Sequence, residues 1–370
     1  MLVAVITFII VLGLLVFVHE LGHFMAARRF GIKVEEFGFG FPPRLWGYRR
    51  GETIYSLNWI PLGGFVKIHG EQGEDKTASD SFSSKVAWKR IVVLSAGVLM
   101  NFIFAWALYA VGFTVGLPQT LSDEDAQQLK LSQTPVIISQ IMEPSPAATA
   151  GLKIGDQISA VETVTINSIA EAQEALGLRQ DRPTILHIKR GTTTLDITVR
   201  PEILATSDHP IIGVGLSRIG FVHYNVLEAL WRGLQATVSM IIAIVVALAW
   251  LLKNLFTTGS VGADVAGPIG VAVMTNQVVN LGWAYVVTFA AALSINLGII
   301  NILPLPALDG GRIIFVLLEK IKGNPVSEKV EGLIHNVGFG LLLLLMVVVT
   351  YHDIVRYGGQ IMHRLTTIFS

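Results

Sequence analysis

The chain is predicted to be an α-helical polytopic membrane protein carrying one inserted α/β domain, and three observations predict it. Of its 370 residues, 52% are hydrophobic and only 15% charged, too apolar a balance for a soluble globular chain. Charge-free runs at 1–18, 91–122, 233–252, 265–308 and 332–351 approach or exceed the roughly 20 apolar residues that cross a 30 Å hydrocarbon core as a helix. Between the second and third runs lies a polar section of ordinary composition, long enough for one domain. The 27 basic and 27 acidic side chains cancel, so no overall field draws the chain to nucleic acid. Without cysteine there is no disulfide, thiolate metal site or cysteine nucleophile, and any metal must be held by His, Asp or Glu.

The first run has no basic segment before it and leads into His-Glu-Leu-Gly-His instead of a small-residue cleavage site, so it is expected to stay as a span. Eleven Lys and Arg fall between Ala26 and Arg90, and none precedes the first span. Basic loops stay cytoplasmic, which puts the N-terminus and the polar section outside. Four complete spans are expected, at about 1–24, 93–116, 284–304 and 336–352. An odd number of crossings must separate an outside domain from a cytoplasmic 312–329. The run 233–252 is therefore expected to lie along the interface or dip into it, the alternative being an extra crossing within 265–280. The expected division is a membrane part at 1–122, a domain at 123–204, a linker with the interfacial helix at 205–264, and a second membrane part at 265–370.

Within the polar section, PVIISQIM, TILHIKRG and LDITVRP read as strands around a short helix, SIAEAQEALGL. Ser168 and Glu171 have the form of a capping box, and Gly177 can close the helix. The segment Pro144–Ile158, PSPAATAGLKIGDQI, resembles the PDZ family, in one copy. It lacks the asparagine-glycine turn common after that pattern, having Val161, Glu162 and Thr163 there.

His19, Glu20 and His23 form H-E-x-x-H, whose i, i+4 spacing stacks both imidazoles on one helix face. Chance predicts only about 0.01 copies at this composition, and three ionisable groups at the end of an apolar span mark a functional site. A hydrolytic zinc site needs a third protein ligand. Asp309, in NILPLPALDGG after Pro304 and Pro306, is the candidate at membrane depth. It can also cap the helix that restarts there, and the two roles can coexist.

VHELGH (Val18–His23) with NILPLPALDGG (Asn301–Gly311), around a PDZ-like insert, resembles the site-2 protease family of intramembrane zinc metalloproteases, particularly the regulator-of-sigma-E protease group in a single-PDZ form. FGFG (Phe37–Gly40), IPLGGFVKI (Ile60–Ile68), SAGVLMNF (Ser95–Phe102) and SINLGIIN (Ser294–Asn301) extend the resemblance over nearly the whole chain. It implies Zn²⁺ on His19, His23 and Asp309, with Glu20 as general base. Zinc acidifies water toward a pKa of about 7, and Glu20, out of ligand register, is free to take its proton. A glutamate there can instead orient His19. The resemblance also implies that Asn301 and Asn296 hold substrate backbone, although such amides often bond to neighbouring helices. Glu52–Ile68 has β-prone runs around Pro-Leu-Gly-Gly. It is expected to form a re-entrant β-hairpin whose edge, near Tyr55 and Leu57, pairs with an unwound substrate, unless it is an ordinary interfacial loop.

The resulting expectation is a zinc-dependent metalloendopeptidase of the bacterial cytoplasmic membrane, acting in the bilayer near its cytoplasmic side. It would cut single-span membrane proteins, and the resemblance implies an anti-sigma factor and remnant signal peptides among them. A non-catalytic PDZ scaffold with a structural metal site is the alternative. Glu20 argues against it, since a structural site needs no base. A metal transporter is disfavoured because three ligands at one depth trace no route across the membrane.

Overall fold

Apolar residues without a helix breaker run unbroken from the N-terminus into the H-E-x-x-H motif, and they form a single helix, α1 (Leu2–Arg29), closed by Arg28 and Arg29 in its last turn. Those cations suit the negative end of the helix dipole. The computed structural model describes residues 2–71, 75, 77–121, 123–124, 134–142, 144–178, 182–191, 193–203, 210–258, 267–323 and 327–369. These fall into a membrane unit, 1–114 with 225–370, and an inserted unit, 115–224.

In the membrane unit α1 leads to two long strands, β1 (Val34–Arg50) and β2 (Thr53–Ile68). Both bend, so the pair makes four paired segments in the order 64–68, 34–39, 53–58, 44–50: Phe37 pairs with both Val66 and Tyr55, and Tyr55 in turn with Tyr48. The expected hairpin within Glu52–Ile68 is not formed as such, because its two arms, 53–58 and 64–68, both pair with 34–39 and not with each other; Pro61–Gly64 is a bend in β2, and it runs beside α1. A Cβ on Gly13 would lie 3.2 Å from the Pro61 carbonyl. Gly13 is six residues, about 9 Å, deeper in the apolar run than His19, so the bend reaches into membrane depth.

The helix α2 (Ala87–Val115) follows, and after the insert come α5 (Val226–Thr258), α6 (Pro268–Leu281), α7 (Trp283–Ile302), α8 (Asp309–Lys322) and α9 (Glu328–Phe369). The labels α3 and α4 belong to the insert. Among the described residues five helices are long and apolar enough to cross a membrane: Val3–Arg29, Ala87–Val115, Val226–Asn254, Trp283–Ile302 and Lys329–Arg356. Four spans were expected; the fifth candidate is the 233–252 run, which is continuous helix. The alternative crossing within 265–280 does not materialise as a span, because α6 has 14 residues, about 21 Å of helix. Exposed Val245, Val246, Trp250, Leu344 and Val347 form apolar surface that suits lipid and not water. Where α1, the ends of the sheet, α2 and α8 meet, Ala27, Ile32, Val34, Ile68, Val93, Leu94 and Val316 form a buried cluster, which fixes the C-terminal end of α1.

The inserted unit contains β3 (Leu117–Leu121), β4 (Val136–Ile141), α3 (Pro146–Thr149), β5 (Gln157–Val161), β6 (Val164–Thr165), α4 (Ile169–Gly177), β7 (Thr184–Arg190), β8 (Thr193–Val199), β9 (Glu202–Ile203), β10 (Pro210–Ile211) and β11 (Val214–Val222). Its main sheet has the order β3-β11-β4-β5-β7-β8, with β6 on β5. The unit is wider than the expected 123–204, because β3 and β11, at its two ends, pair with each other. The PDZ-like pattern has a physical basis. Ala147, Leu152 and Ile158 enter the core. Asp156, 1% exposed, accepts from Lys153 N and from Arg190. Ser168 accepts from Glu171 N at 3.1 Å, while Glu171 reaches back to Asn167 N at 2.8 Å, a capping box shifted by one residue.

Candidate metal centre

The i, i+4 spacing places His19 and His23 on one face of α1, where both rings are buried at 4% and 5% exposure. Two backbone features let them sit there. A Cβ on Gly22 would meet the Ala96 carbonyl oxygen at 2.3 Å, and one on Gly97 would meet His23 Nε2 at 2.4 Å and His19 Cε1 at 2.8 Å. The glycines therefore allow α1 and α2 to touch backbone to backbone, with the rings packed against α2.

Asp309 arrives from the other side. Pro304 and Pro306 end α7, and α8 begins at Asp309 without any side-chain hydrogen bond capping it among the described residues. The capping alternative is thus not the role its carboxylate plays here. Gly310 and Gly311 make the reversal possible, since a Cβ on either would lie 2.2 Å from the Ile302 or Leu305 carbonyl oxygen. Residue Ala307, with φ of 72°, donates its N–H to His335 Nδ1 at 2.8 Å. Arg312, three residues after Asp309, is paired with Glu71.

Three atoms converge. His19 Nε2 lies 3.0 Å from Asp309 Oδ2 and 3.2 Å from His23 Nε2, and His23 Nε2 lies 3.4 Å from the same carboxylate oxygen. Four-coordinate zinc with bonds of about 2.0–2.2 Å would separate its ligands by about 3.3–3.6 Å. The observed triangle is nearly that size before any metal draws it into shape. Nδ1 of His23 is 2.8 Å from the Val93 carbonyl, which can only accept. That nitrogen therefore carries a proton, and in the neutral ring Nε2 keeps its lone pair. Among the described residues this is the one group of three His, Asp or Glu able to hold a metal.

Glu20 is half-buried, and its Oε2 accepts from Val66 N at 3.1 Å. It is thus tied to the outer segment of the hairpin sheet, and the amide facing His19 Nδ1 is Asn101 at 3.2 Å. Asn301 Nδ2 lies 3.3 Å from His19 Nε2. Asn296 is half-buried on the same helix, α7, five residues away and so about 140° around it. Tyr55 and Leu57 lie on the inner segment 53–58, paired on both sides, and so offer no free backbone edge. The segment next to Glu20 is 64–68.

Gly97 and Asn101 escaped sequence reasoning as functional positions, although both stand in the matching SAGVLMNF. Only their placement opposite the histidines, four residues apart on α2, reveals what they touch.

The family model described as Peptidase family M50 matches residues 7–345. The regulator of sigma-W protease RasP of Bacillus subtilis (strain 168) is 31% identical over 95% of this chain and 98% of its own length. Proteins called zinc metalloprotease RasP from Geobacillus kaustophilus and Bacillus licheniformis are 29% and 30% identical, over 96% and 95% of this chain and 98% and 99% of theirs.

Proposed function

The chain belongs to peptidase family M50, the site-2 protease family, and on that premise we propose that His19, His23 and Asp309 hold the zinc of a multi-pass intramembrane metalloendopeptidase with Glu20 as its base. The observation that carries the assignment is the triangle of two imidazole nitrogens and one carboxylate oxygen toward the C-terminal end of an apolar helix, with a further carboxylate beside it. Zinc at this position supplies Lewis acidity, which polarises a peptide carbonyl and acidifies water.

The remaining steps belong to side chains. Glu20 takes the proton of the attacking water and returns it to the leaving amine, which general acid–base geometry permits for a carboxylate one residue from a ligand. Asn301, with an amide that both donates and accepts, orients the scissile backbone at the site. Substrate has to arrive unwound, because a helical carbonyl is already bonded and crowded. The hairpin segment 64–68 is suited to receive it, as Val66 already directs its N–H at Glu20, and an extended peptide laid along that edge brings its backbone to the base.

The substrate class that fits is a single-span membrane protein. A membrane anti-sigma factor is the first candidate, in keeping with the sigma-W regulation in the name of the Bacillus subtilis relative, and remnant signal peptides are the second. The N-terminus and the inserted unit are placed outside the cytoplasmic membrane, on the distribution of Lys and Arg around the first two spans.

The test is cleavage of a tagged single-span protein in liposomes by wild type and Glu20→Gln, with zinc measured in both. Zinc retained and cleavage lost in Glu20→Gln is the expected result. Equal cleavage by the two proteins removes Glu20 from the chemistry. Zinc in both with no cutting of several substrates favours a scaffold.

A further inference from the structure

We propose that Asn101 fixes the tautomer and ring orientation of His19 by accepting a hydrogen bond from its Nδ1–H, making Asn101 a positioning residue of the metal centre. The inference rests on the reading that His19 holds zinc through Nε2, the nitrogen facing Asp309 and His23. A ligating nitrogen carries no proton, so the neutral ring must carry it on Nδ1. A buried N–H needs an acceptor, since one left unpaired away from water keeps its full desolvation penalty.

Asn101 is fully buried, and its amide is the group 3.2 Å from that Nδ1. In the orientation shown, Nδ2 faces the ring, while Oδ1 is buried without a hydrogen-bond partner among the described residues. The two ends of an amide are nearly the same size, so a half-turn of the side chain exchanges them without changing its shape. It gives the orphaned oxygen its donor and Nδ1–H its acceptor. The orientations are not equivalent for the metal. With Nδ2–H toward Nδ1, the His19 proton must sit on Nε2 and block ligation; with Oδ1 toward Nδ1, Nε2 is free.

The two histidines are supported differently from the same helix. His23 Nδ1 meets the Val93 carbonyl, a backbone acceptor that no side-chain substitution removes. His19 depends on a side chain. The backbone at Asn101 is itself held, its carbonyl accepting from Ser294 Oγ at 2.8 Å, so the amide is presented from a fixed point.

The test is zinc affinity of the full chain in detergent, by chelator competition, for wild type, Asn101→Leu, Asn101→Asp and His19→Ala, with the melting temperature of each metal-free protein. Loss of an outer partner of a ligating histidine typically weakens metal binding 10–100-fold. That loss is expected for Asn101→Leu, with the metal-free melting temperature nearly unchanged. Asn101→Asp keeps an acceptor at the same place and is expected within about threefold of wild type. Wild-type affinity in Asn101→Leu overturns the proposal, as does a loss in Asn101→Asp as large as that in Asn101→Leu. Should Asn101→Leu fail to fold, Asn101→Asp decides alone: near-wild-type affinity supports the role and a tenfold loss overturns it. If His19→Ala binds zinc as tightly as wild type, the metal reading itself fails, whatever Asn101 does.

Discussion

Replacing Gly97 by alanine adds one methyl group to the middle of α2, and two effects of opposite sign compete. Helix propensity favours alanine over glycine by about 1 kcal/mol in a helix interior. Against that, the new carbon would stand 2.4 Å from His23 Nε2 and 2.8 Å from His19 Cε1, so the rings must retreat by about 1 Å to reach ordinary contact. Parting the helices to make room would open the close backbone contact of α1 and α2 at Gly22, losing packing there. Crowding of this kind costs about 1–3 kcal/mol, so the net change in stability of the metal-free protein is small. Metal binding responds very differently, since ligand positions must hold to within about 0.2 Å. We expect Gly97→Ala to lose at least 100-fold in zinc affinity and to cut no substrate, while the metal-free protein melts within a few degrees of wild type. Zinc content after gel filtration, chelator competition and a thermal melt read the three quantities. Gly340→Ala, where nothing lies within 4 Å of the added carbon, should leave zinc affinity and cleavage unchanged and, with the propensity gain unopposed, raise the melting temperature slightly. Wild-type zinc affinity in Gly97→Ala would refute the claim that this glycine is required by the imidazoles.

Two further substitutions probe parts of the fold away from the metal. Asp353 on α9 is 1% exposed and accepts from the N–H groups of Gly267 and Gly270 at 3.3 and 2.7 Å, serving as a remote cap for α6. Asp353→Ala strands those donors and should destabilise the protein in detergent by about 1–3 kcal/mol with zinc affinity unaltered; a melt at wild-type temperature would dismiss the cap. In the insert, burial alone would raise the carboxyl of Asp123. The N–H groups of Ile169 and Ala170 and the Arg218 guanidinium outweigh it and hold the group below the usual carboxylate range. A depressed folded pKa contributes stability that is present above the unfolded value of about 4 and lost as pH falls below it. Asp123→Ala should therefore weaken amide-exchange protection of α4 by about 1 kcal/mol at pH 7, with the difference from wild type closing toward pH 3. A difference that is the same at both pH values would show that the ionised form is not what supports the helix.

The residues that were legible in the sequence share one property: their meaning depends on local spacing. His19 and His23 are one helical turn apart, the capping pair Ser168 and Glu171 three residues apart, and the spans are runs of composition. Asp309 was reachable because few acids occur at membrane depth. The inserted unit was placed, but its limits were drawn too tightly, since the pairing of β3 with β11 joins residues about a hundred positions apart and short runs such as Leu117–Leu121 carry no signal of it. A β-rich segment was anticipated at Glu52–Ile68, but not that 34–39 would lie between its two arms, nor which segment keeps a free edge. That follows from a sheet in which each long strand bends back on the other, so that Tyr55 and Leu57 become interior and Val66 becomes the edge.

Gly97 and Asn101 show why a site cannot be completed from its motif. Neither carries a charge or a metal-ligand chemistry, and in an apolar helix a glycine and an asparagine have many uses. Their function exists only relative to α1, seventy-four and eighty-two residues away from His23 and His19. One supplies absence of volume where the imidazoles must lie, and the other supplies an amide opposite the Nδ1 of one imidazole. The two ligands on α1 are therefore fixed from a second helix at two points four residues, or about one turn, apart. It follows that moving α2 by one residue relative to α1 would lose both features together. A metal site with two of its three proposed ligands on one helix then becomes a report on the register of two, and zinc affinity is a readout of how α1 and α2 pack.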